Sequence, residues 1–537
     1  MSSTLIKNGL IVDGSGELPY LGSLLIENNK ISKVSKEEIV GNFDNVIDAK
    51  GKVVTPGFID IHRHCDAKPL NSKTFADCML LQGITSTVVG NCGISMTPAP
   101  KNLEDAKAMY SFHEPVLGPI EAGLATTYDD YLAALEKVEM PLNFASMIGF
   151  GSLKISIKNF SDKPFTEDEI KEAYDVIDKA LSAGASGVSV GIMYIPECYT
   201  STEEYARILS AVGKHHSVVT AHIRGEGDSM VKSVEEIIEI GRRAGCAVEI
   251  SHFKSCGMKN WRKDIFTAIG LINKARAQGQ DVSCDFYPYE GGSTSLTTMV
   301  PPKFVAGDMK RALEKMGTPE GIEEFRKMSR VSYDDWDNFA ITLGWERILI
   351  SGVSKDENRK FINKNVVQCA NEFGYADAEE FVCKLLHDED GNVAIINLSM
   401  CQDDIDTVAK LPYSIIISDA IYADTDTPHP RMYGAFPKAI RQYVKERSLL
   451  PLGTCIAKMT SLSAKRMGIA NRGLLKEGYF ADVNVFNLDE FTDNATFAEP
   501  TLLAEGLDKC FINGNLVVSQ GEVLNRNSGV VIKAKHE

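Results

Sequence analysis

The sequence predicts an α/β protein: a (β/α)8 TIM-like barrel joined to a small β-sandwich domain formed by both termini. Three observations predict it. The middle of the chain alternates apolar, β-rich runs with amphipathic segments, whereas both ends are rich in short strands and turns. Several of the middle runs also close on a histidine, a cysteine or an aspartate. At 537 residues the chain is long enough for one large domain and one smaller one.

The first fifty residues read as strands and turns, in "STLIKNGLIVDGSG", "GSLLIENNKISKVS" and "NVIDAKGKVVTPG", with hairpin signals at Asn8-Gly9 and Asp13-Gly14. The last sixty share that texture, in "GYFADVNVFNLDEF" and "CFINGNLVVSQGEVL". Residues 1–54 plus 478–537 are therefore expected to form the small domain, and 55–477 the barrel. Expected barrel strands are Phe58–His62, Ile84–Val89, Asn143–Phe150, Gly187–Val190, Val218–His222, Ala247–His252, Val282–Phe286 and Ser414–Asp419. Between them lie amphipathic stretches such as "TEDEIKEAYDVIDKALSAGA" and "SVEEIIEIGRRAGC". Eight buried runs alternating with helices favour a barrel over a doubly wound sheet, provided that about 301–411 is an insertion. An insertion beside a barrel mouth would suit a lid.

A hydrophobic content of 44% and a charged content of 24% describe an ordinary globular chain. The net charge of -16 argues against a nucleic-acid partner, which needs a basic footprint. The start of the chain lacks a signal-peptide pattern, and no apolar run is long enough for a membrane helix, so no membrane partner is expected. The 12 cysteines show no CxxC spacing and read as reduced thiols in a cytoplasmic protein.

Chemistry enters at the strand ends. "TPGFIDIHRHCD" ends the first strand with His62 and His64, two apart and so on one face. With 10 histidines in the chain, about 0.2 such pairs arise by chance, so the pair alone carries little weight. The second strand runs into "VVGNCGIS", placing Cys92 between Gly90 and Gly93, which permit close approach. The fifth, sixth and eighth strands end at His222, His252 and Asp419. Each of these alone reads more simply as a buried thiol or a strand-end polar group. In a barrel, however, the C-terminal ends of the strands converge on one mouth, and imidazole, thiolate and carboxylate together are the ligand types of zinc. The residues thus predict a metal centre with two positions. His62, His64 and Asp419 would hold one and His222 and His252 the other; Cys92 belongs with the second, where its thiolate could bridge both ions.

The motifs "PGFIDIHRHCD", "VVGNCGIS", "GIMYIPECYTSTEE", "AHIRGEGD", "ISHFKSCG", "DFYPYEGGST", "SDA" and "PHPRMYGAFP" occur in the order found in the N-acyl-D-amino-acid deacylases. The chain resembles this D-aminoacylase family of the amidohydrolase superfamily over nearly its whole length, including the tail motif "NRGLLKEGYFADVNVF". The resemblance implies an amidohydrolase-type barrel and hydrolysis of the N-acyl amide of a D-amino acid. It implies one tightly bound Zn2+ on Cys92, His222 and His252, with room for a second, weaker site at His62 and His64. Asp419 would be the catalytic acid/base. Lys254, Tyr287 and Arg431, with Ser293 nearby and Tyr194 in "GIMYIPE", would bind a small substrate carrying a carboxylate. A planar guanidinium pairs well with a carboxylate and a lysine adds a point charge.

On that resemblance zinc lowers the pKa of water to about 7, and Asp419 takes the proton and later gives it to the departing amine. Several positions depart from the family pattern. Phe150 and Lys154 stand in "GFGSLK" where the family commonly has "GHG" and an arginine, Cys65 interrupts the first motif, and "RGEGD" and "SDA" replace "RDEGD" and "SDG". The metal set survives these changes. A cyclic amide hydrolase of the dihydropyrimidinase or dihydroorotase kind is the nearest rival, but its bridging strand-4 lysine is absent from "GVSVGIMY". Glu226, close to His222, would suit a deaminase, which has no need of Cys92. A non-enzymatic scaffold would be expected to lose ligands, and this chain keeps them all.

Overall fold

The computed structural model describes residues 2–334, 336–425 and 427–536. Eight parallel strands form the centre: β1 (Phe58–Asp60), β2 (Ile84–Val89), β3 in two halves (Asn143–Ser146 and Ile148–Gly149), β4 (Val188–Gly191), β5 (Val218–His222), β6 (Ala247–Ile250), β7 (Val282–Phe286) and β8 (Ser414–Ile416). Each pairs with the next in chain order. The circle closes where Arg63 bridges Ala420 in parallel, with Asp419 N donating to His62 O at 2.9 Å and His64 N to Ala420 O at 2.9 Å. The closing bonds are therefore made by the residues that carry the candidate chemistry.

β2 through β5 are buried along their whole length, the pattern of parallel strands covered on both faces. The covering helices follow their local signals. Thr166 and Glu169 form a reciprocal capping box at the start of Glu167–Ala183, and Gly184 ends it in left-handed backbone. Ile170, Ala173, Ile177, Ala180 and Leu181 make its buried stripe. Met230–Ala244 has no side-chain cap at its start, but it likewise buries one face and ends at left-handed Gly245.

Strands from both termini share one nine-stranded sheet, in which Val53–Pro56 joins Ser3–Ile11 to Val483–Phe486. Ile31 N and O bond to Tyr479 and Gly478, so the edge strand Lys30–Ser35 returns to the segment leading into Val483–Phe486. The sheet thereby wraps a core that includes Ile6, Leu24, Ile26, Val54, Val483 and Phe511. The last residues differ from expectation, because they leave this domain. Phe144 N donates to Val530 O, Ile532 N to Phe144 O and Ala534 N to Gly184 O. They satisfy backbone groups where the divided β3 parts from its neighbour, which buried backbone requires.

The excursion between β7 and β8 contains an antiparallel sheet in the order Gly292–Ser295, Val393–Asn397, Ile348–Val353, with its own apolar core. It begins before the expected 301. It also ends earlier than 411, because the helix Gln402–Ala409 packs Ile405, Val408 and Ala409 into the barrel core. Pairing of Gly292–Ser295 with a strand a hundred residues later is a tertiary contact that local pattern does not announce. No helix among the described residues is long and apolar enough to cross a membrane.

Candidate metal centre

Six side chains meet at the mouth. Cys92 Sγ lies 3.2 Å from His62 Nε2 and 3.4 Å from His252 Nε2. His62 Nε2 is 3.3 Å and His64 Nε2 3.5 Å from Asp419 Oδ1. Three sets of donor atoms fall within 4.8 Å of one another: His62, His64 and Cys92; Cys92, His222 and His252; His62, His252 and Asp419. Cys92, His62 and His252 each belong to two of them.

Backbone conformation aims these groups. Cys92, His252 and Asp419 have φ of 54°, 36° and 51°, a region that costs a non-glycine residue about 1–3 kcal/mol and collects at functional sites. Each turns the chain just past the end of its strand.

The site is buried, and burial dominates its electrostatics. Desolvation lowers His62 and His64 to about 4 and His222 well below its ordinary value, leaving the imidazoles neutral. It raises the Cys92 thiol well above the usual range, helped by Asp419 and Asp285. Burial also opposes the charge on Asp419, yet Arg431, aided by a hydrogen bond from His64, outweighs it and holds this carboxyl well below the carboxylate range. Neutral imidazoles, a thiol and an anionic carboxylate converging in a desolvated pocket, with His64 Nδ1 lacking a hydrogen-bond partner among the described residues, fit a zinc ion by donor chemistry.

The surrounding charges are committed. Lys254 Nζ is 2.5 Å from Glu226 Oε1 and 2.7 Å from His252 Nδ1, and the same carboxylate oxygen lies 2.9 Å from His252 Nδ1. Burial would lower the Lys254 ammonium, but Glu226 outweighs it and raises it; Glu226 in turn is pulled below its ordinary range. Arg431 is fully enclosed, with Nη1 2.8 Å from Asp419 Oδ2, Nη2 donating to Ser293 O at 3.3 Å and the guanidinium 4.5 Å from the Tyr287 ring centre. Tyr194 OH sits 3.2 Å from His222 Nδ1 and 3.3 Å from Thr294 Oγ1.

A pocket over these donors is lined by Lys254, Tyr287, Ser293 and Tyr194, together with Thr294, Phe339 and Asn397 of the excursion. Arg431 lies behind Asp419 instead of on this wall. The guanidinium expected to hold the substrate carboxylate thus lies against Asp419, with its Nε lacking a hydrogen-bond partner among the described residues. Two carboxylates had no ligand-orienting role in the sequence reading. Glu226 orients His252, and Asp285 accepts from His252 N and approaches His62 Nδ1 at 3.4 Å. Outer carboxylates of this kind fix the ring orientation of metal-binding histidines. Their signal was present, since Glu226 follows His222 in "AHIRGEGD" and Asp285 precedes Tyr287 in "DFYPY".

A family model described as the amidohydrolase family matches residues 45–264 and 391–523. The chain belongs to the amidohydrolase family. It is 30% identical to a D-aminoacylase of Alcaligenes xylosoxydans xylosoxydans over 98% of this chain and 97% of that protein. It is 31% identical to an N-acyl-D-glutamate deacylase of the same organism, again over 98% and 97%. A solved N-acyl-D-glutamate deacylase from Bordetella bronchiseptica, complexed with zinc and a phosphonate inhibitor, superposes with a TM-score of 0.83 at 29% identity, covering 99% of both chains. The family match skips 265–390, which holds most of the excursion.

Within this amidohydrolase three of the departures from the family pattern have structural explanations. Lys154 is buried and donates to Pro196 O and Thr200 Oγ1, both at 2.9 Å, so it fastens the loop after β4. Phe150 packs against Tyr205 at 4.7 Å between ring centres. Cys65 is a fully buried thiol in the barrel core, its ionisation suppressed by desolvation. None of the three lines the pocket over the donors.

Proposed function

We propose that this amidohydrolase uses zinc to hydrolyse the N-acyl amide of an N-acyl-D-amino acid, releasing a carboxylate and a D-amino acid. The observation that carries the reading is the shared donor set, in which Cys92 joins His222 and His252 on one side and His62 and His64 on the other. Cys92, His222 and His252 would hold the tighter ion, and His62 and His64, beside Asp419, offer a weaker second position. Bound there, zinc supplies a Lewis acid to water and to the acyl carbonyl.

The protein's own groups do the rest. Asp419 is kept anionic, so at neutral pH it accepts the proton of the attacking water and delivers it to the amide nitrogen as the C–N bond breaks. One water is consumed; its oxygen stays on the acyl carbon and the nitrogen leaves as an amine. Glu226 and Asp285 hold His252 and His62 in orientation. Tyr287 and Ser293 bind the substrate carboxylate within the field of Lys254 and Arg431, and Tyr194 fixes His222 while facing the same pocket. We place the enzyme in a reducing cytoplasm, a reading supported by 12 unpaired cysteines.

The test is a stereochemically paired screen of N-acetyl-D- and N-acetyl-L-amino acids with zinc-loaded protein. Turnover confined to the D series is expected. Hydrolysis of neither series by zinc-bound protein would move the chemistry to a cyclic amide and sink this reading.

A further inference from the structure

The pocket over the metal donors does not end at the metal. Its wall at Cys92, Ile94, Val116, Tyr194 and Thr294 is shared with a second cavity. That cavity continues between Ile155 and Ile195 to Phe112 and Thr297, and those last two residues also line an outer cleft. The cleft lies between the helix Leu103–Leu117 and the excursion, where Phe112 meets Phe160 at 5.1 Å between ring centres. The three spaces adjoin in turn between the metal donors and the surface, sharing these lining residues.

The middle space is an apolar slot. Neither Lys254, Tyr287, Ser293 nor Arg431 lines it. Its titratable wall residues besides Cys92 and Tyr194 are Glu197 and His113. Glu197 is engaged on both oxygens, by Gly191 N at 2.9 Å and Tyr205 OH at 2.8 Å. His113 is held neutral by burial. A substrate whose carboxylate sits near Lys254 and Tyr287 places its amide at the metal donors and its acyl group beyond them, on the side of Cys92. We propose that this slot is an acyl subsite and that the preferred substrates carry a medium-length aliphatic acyl chain, threaded past Ile94, Val116 and Ile155 toward the outer cleft. The proposal deepens the deacylase reading and rests on it for the direction of the chain.

The experiment compares N-acetyl-, N-butanoyl-, N-octanoyl- and N-decanoyl-D-leucine as substrates of the zinc-loaded enzyme, and titrates acetate and decanoate into it by calorimetry. Each methylene accommodated in the slot should raise kcat/KM by up to about fourfold, with a plateau once the chain reaches the cleft. Decanoate should bind far more tightly than acetate. Ile155→Phe, which narrows the slot away from the donors, should abolish the gain for octanoyl and decanoyl substrates while sparing the acetyl one. If Ile155→Phe does not fold, the chain-length series and the fatty-acid titration on the unaltered enzyme still decide. Rates that are flat or falling with length, with decanoate binding no tighter than acetate, overturn the proposal. So does an Ile155→Phe effect that follows the size of the amino-acid side chain instead of the acyl length. Failure of the deacylase reading looks different: no D-acyl substrate turns over, while tight decanoate binding would still report the slot.

Discussion

The barrel mouth and the excursion above it meet in one pocket, yet they are built on opposite principles. The mouth gathers buried titratable groups on strand ends, three of them in left-handed backbone. The excursion is an antiparallel sheet and helices around an apolar core, and it contributes Ser293, Thr294, Phe339 and Asn397 to the roof. Among the described residues, every candidate donor atom comes from the barrel. The difference separates a floor of buried titratable groups on strand ends from a roof of neutral side chains carried by the excursion.

The sharpest way to break this comparison is to alter the floor. Cys92→Ala should lose zinc and reduce turnover to background, because it removes a donor from two sets at once; zinc content by atomic absorption, read beside activity, checks it. Asp419→Asn should keep its zinc and lose about 10²–10⁴ in kcat, the range for a missing acid/base. Full activity in that variant would contradict its role. Glu226→Gln should weaken zinc affinity or activity by about 10–100-fold, as for other carboxylates behind metal histidines, and a competitive chelator titration measures it.

The roof predicts smaller effects of another kind. Thr294→Val removes the hydroxyl 3.3 Å from Tyr194 OH; KM should rise about threefold, in line with a neutral hydrogen bond worth about 0.5–1.5 kcal/mol, with zinc content unchanged. The seam between the two regions offers a stability test. Burial holds His113 at about 3, against 6.5 in the unfolded chain. Between pH 6.5 and 3 the unfolded state binds the extra proton, so stability falls as pH falls, by about 1.4 kcal/mol per pH unit from this group. His113→Gln should show a correspondingly shallower loss in urea unfolding over that window.

Much of the floor was legible in the sequence, since strand period and strand-end residues coincide. His62, His64, Cys92, His222, His252 and Asp419 each close an apolar run, and the barrel geometry brings the ends of such runs together. The roles of Glu226 and Asp285 were harder to read, because a carboxylate behind a ligand has no spacing of its own; its partner comes from a neighbouring strand. Arg431 reads as a substrate clamp, and only the fold shows that its guanidinium also lies against Asp419. The excursion's bounds failed to show for the same reason, since its first strand is defined by a partner a hundred residues away.

The sequence by itself determined the alternation of strands and helices, the family and the candidate donor residues, all of which depend on local period or residue identity. The tertiary structure alone decided which charges neutralise one another, how the tail seals the divided β3, and that a largely apolar cavity adjoins Cys92. Those depend on distances between segments far apart in the chain, and burial then amplifies each contact by stripping water from it.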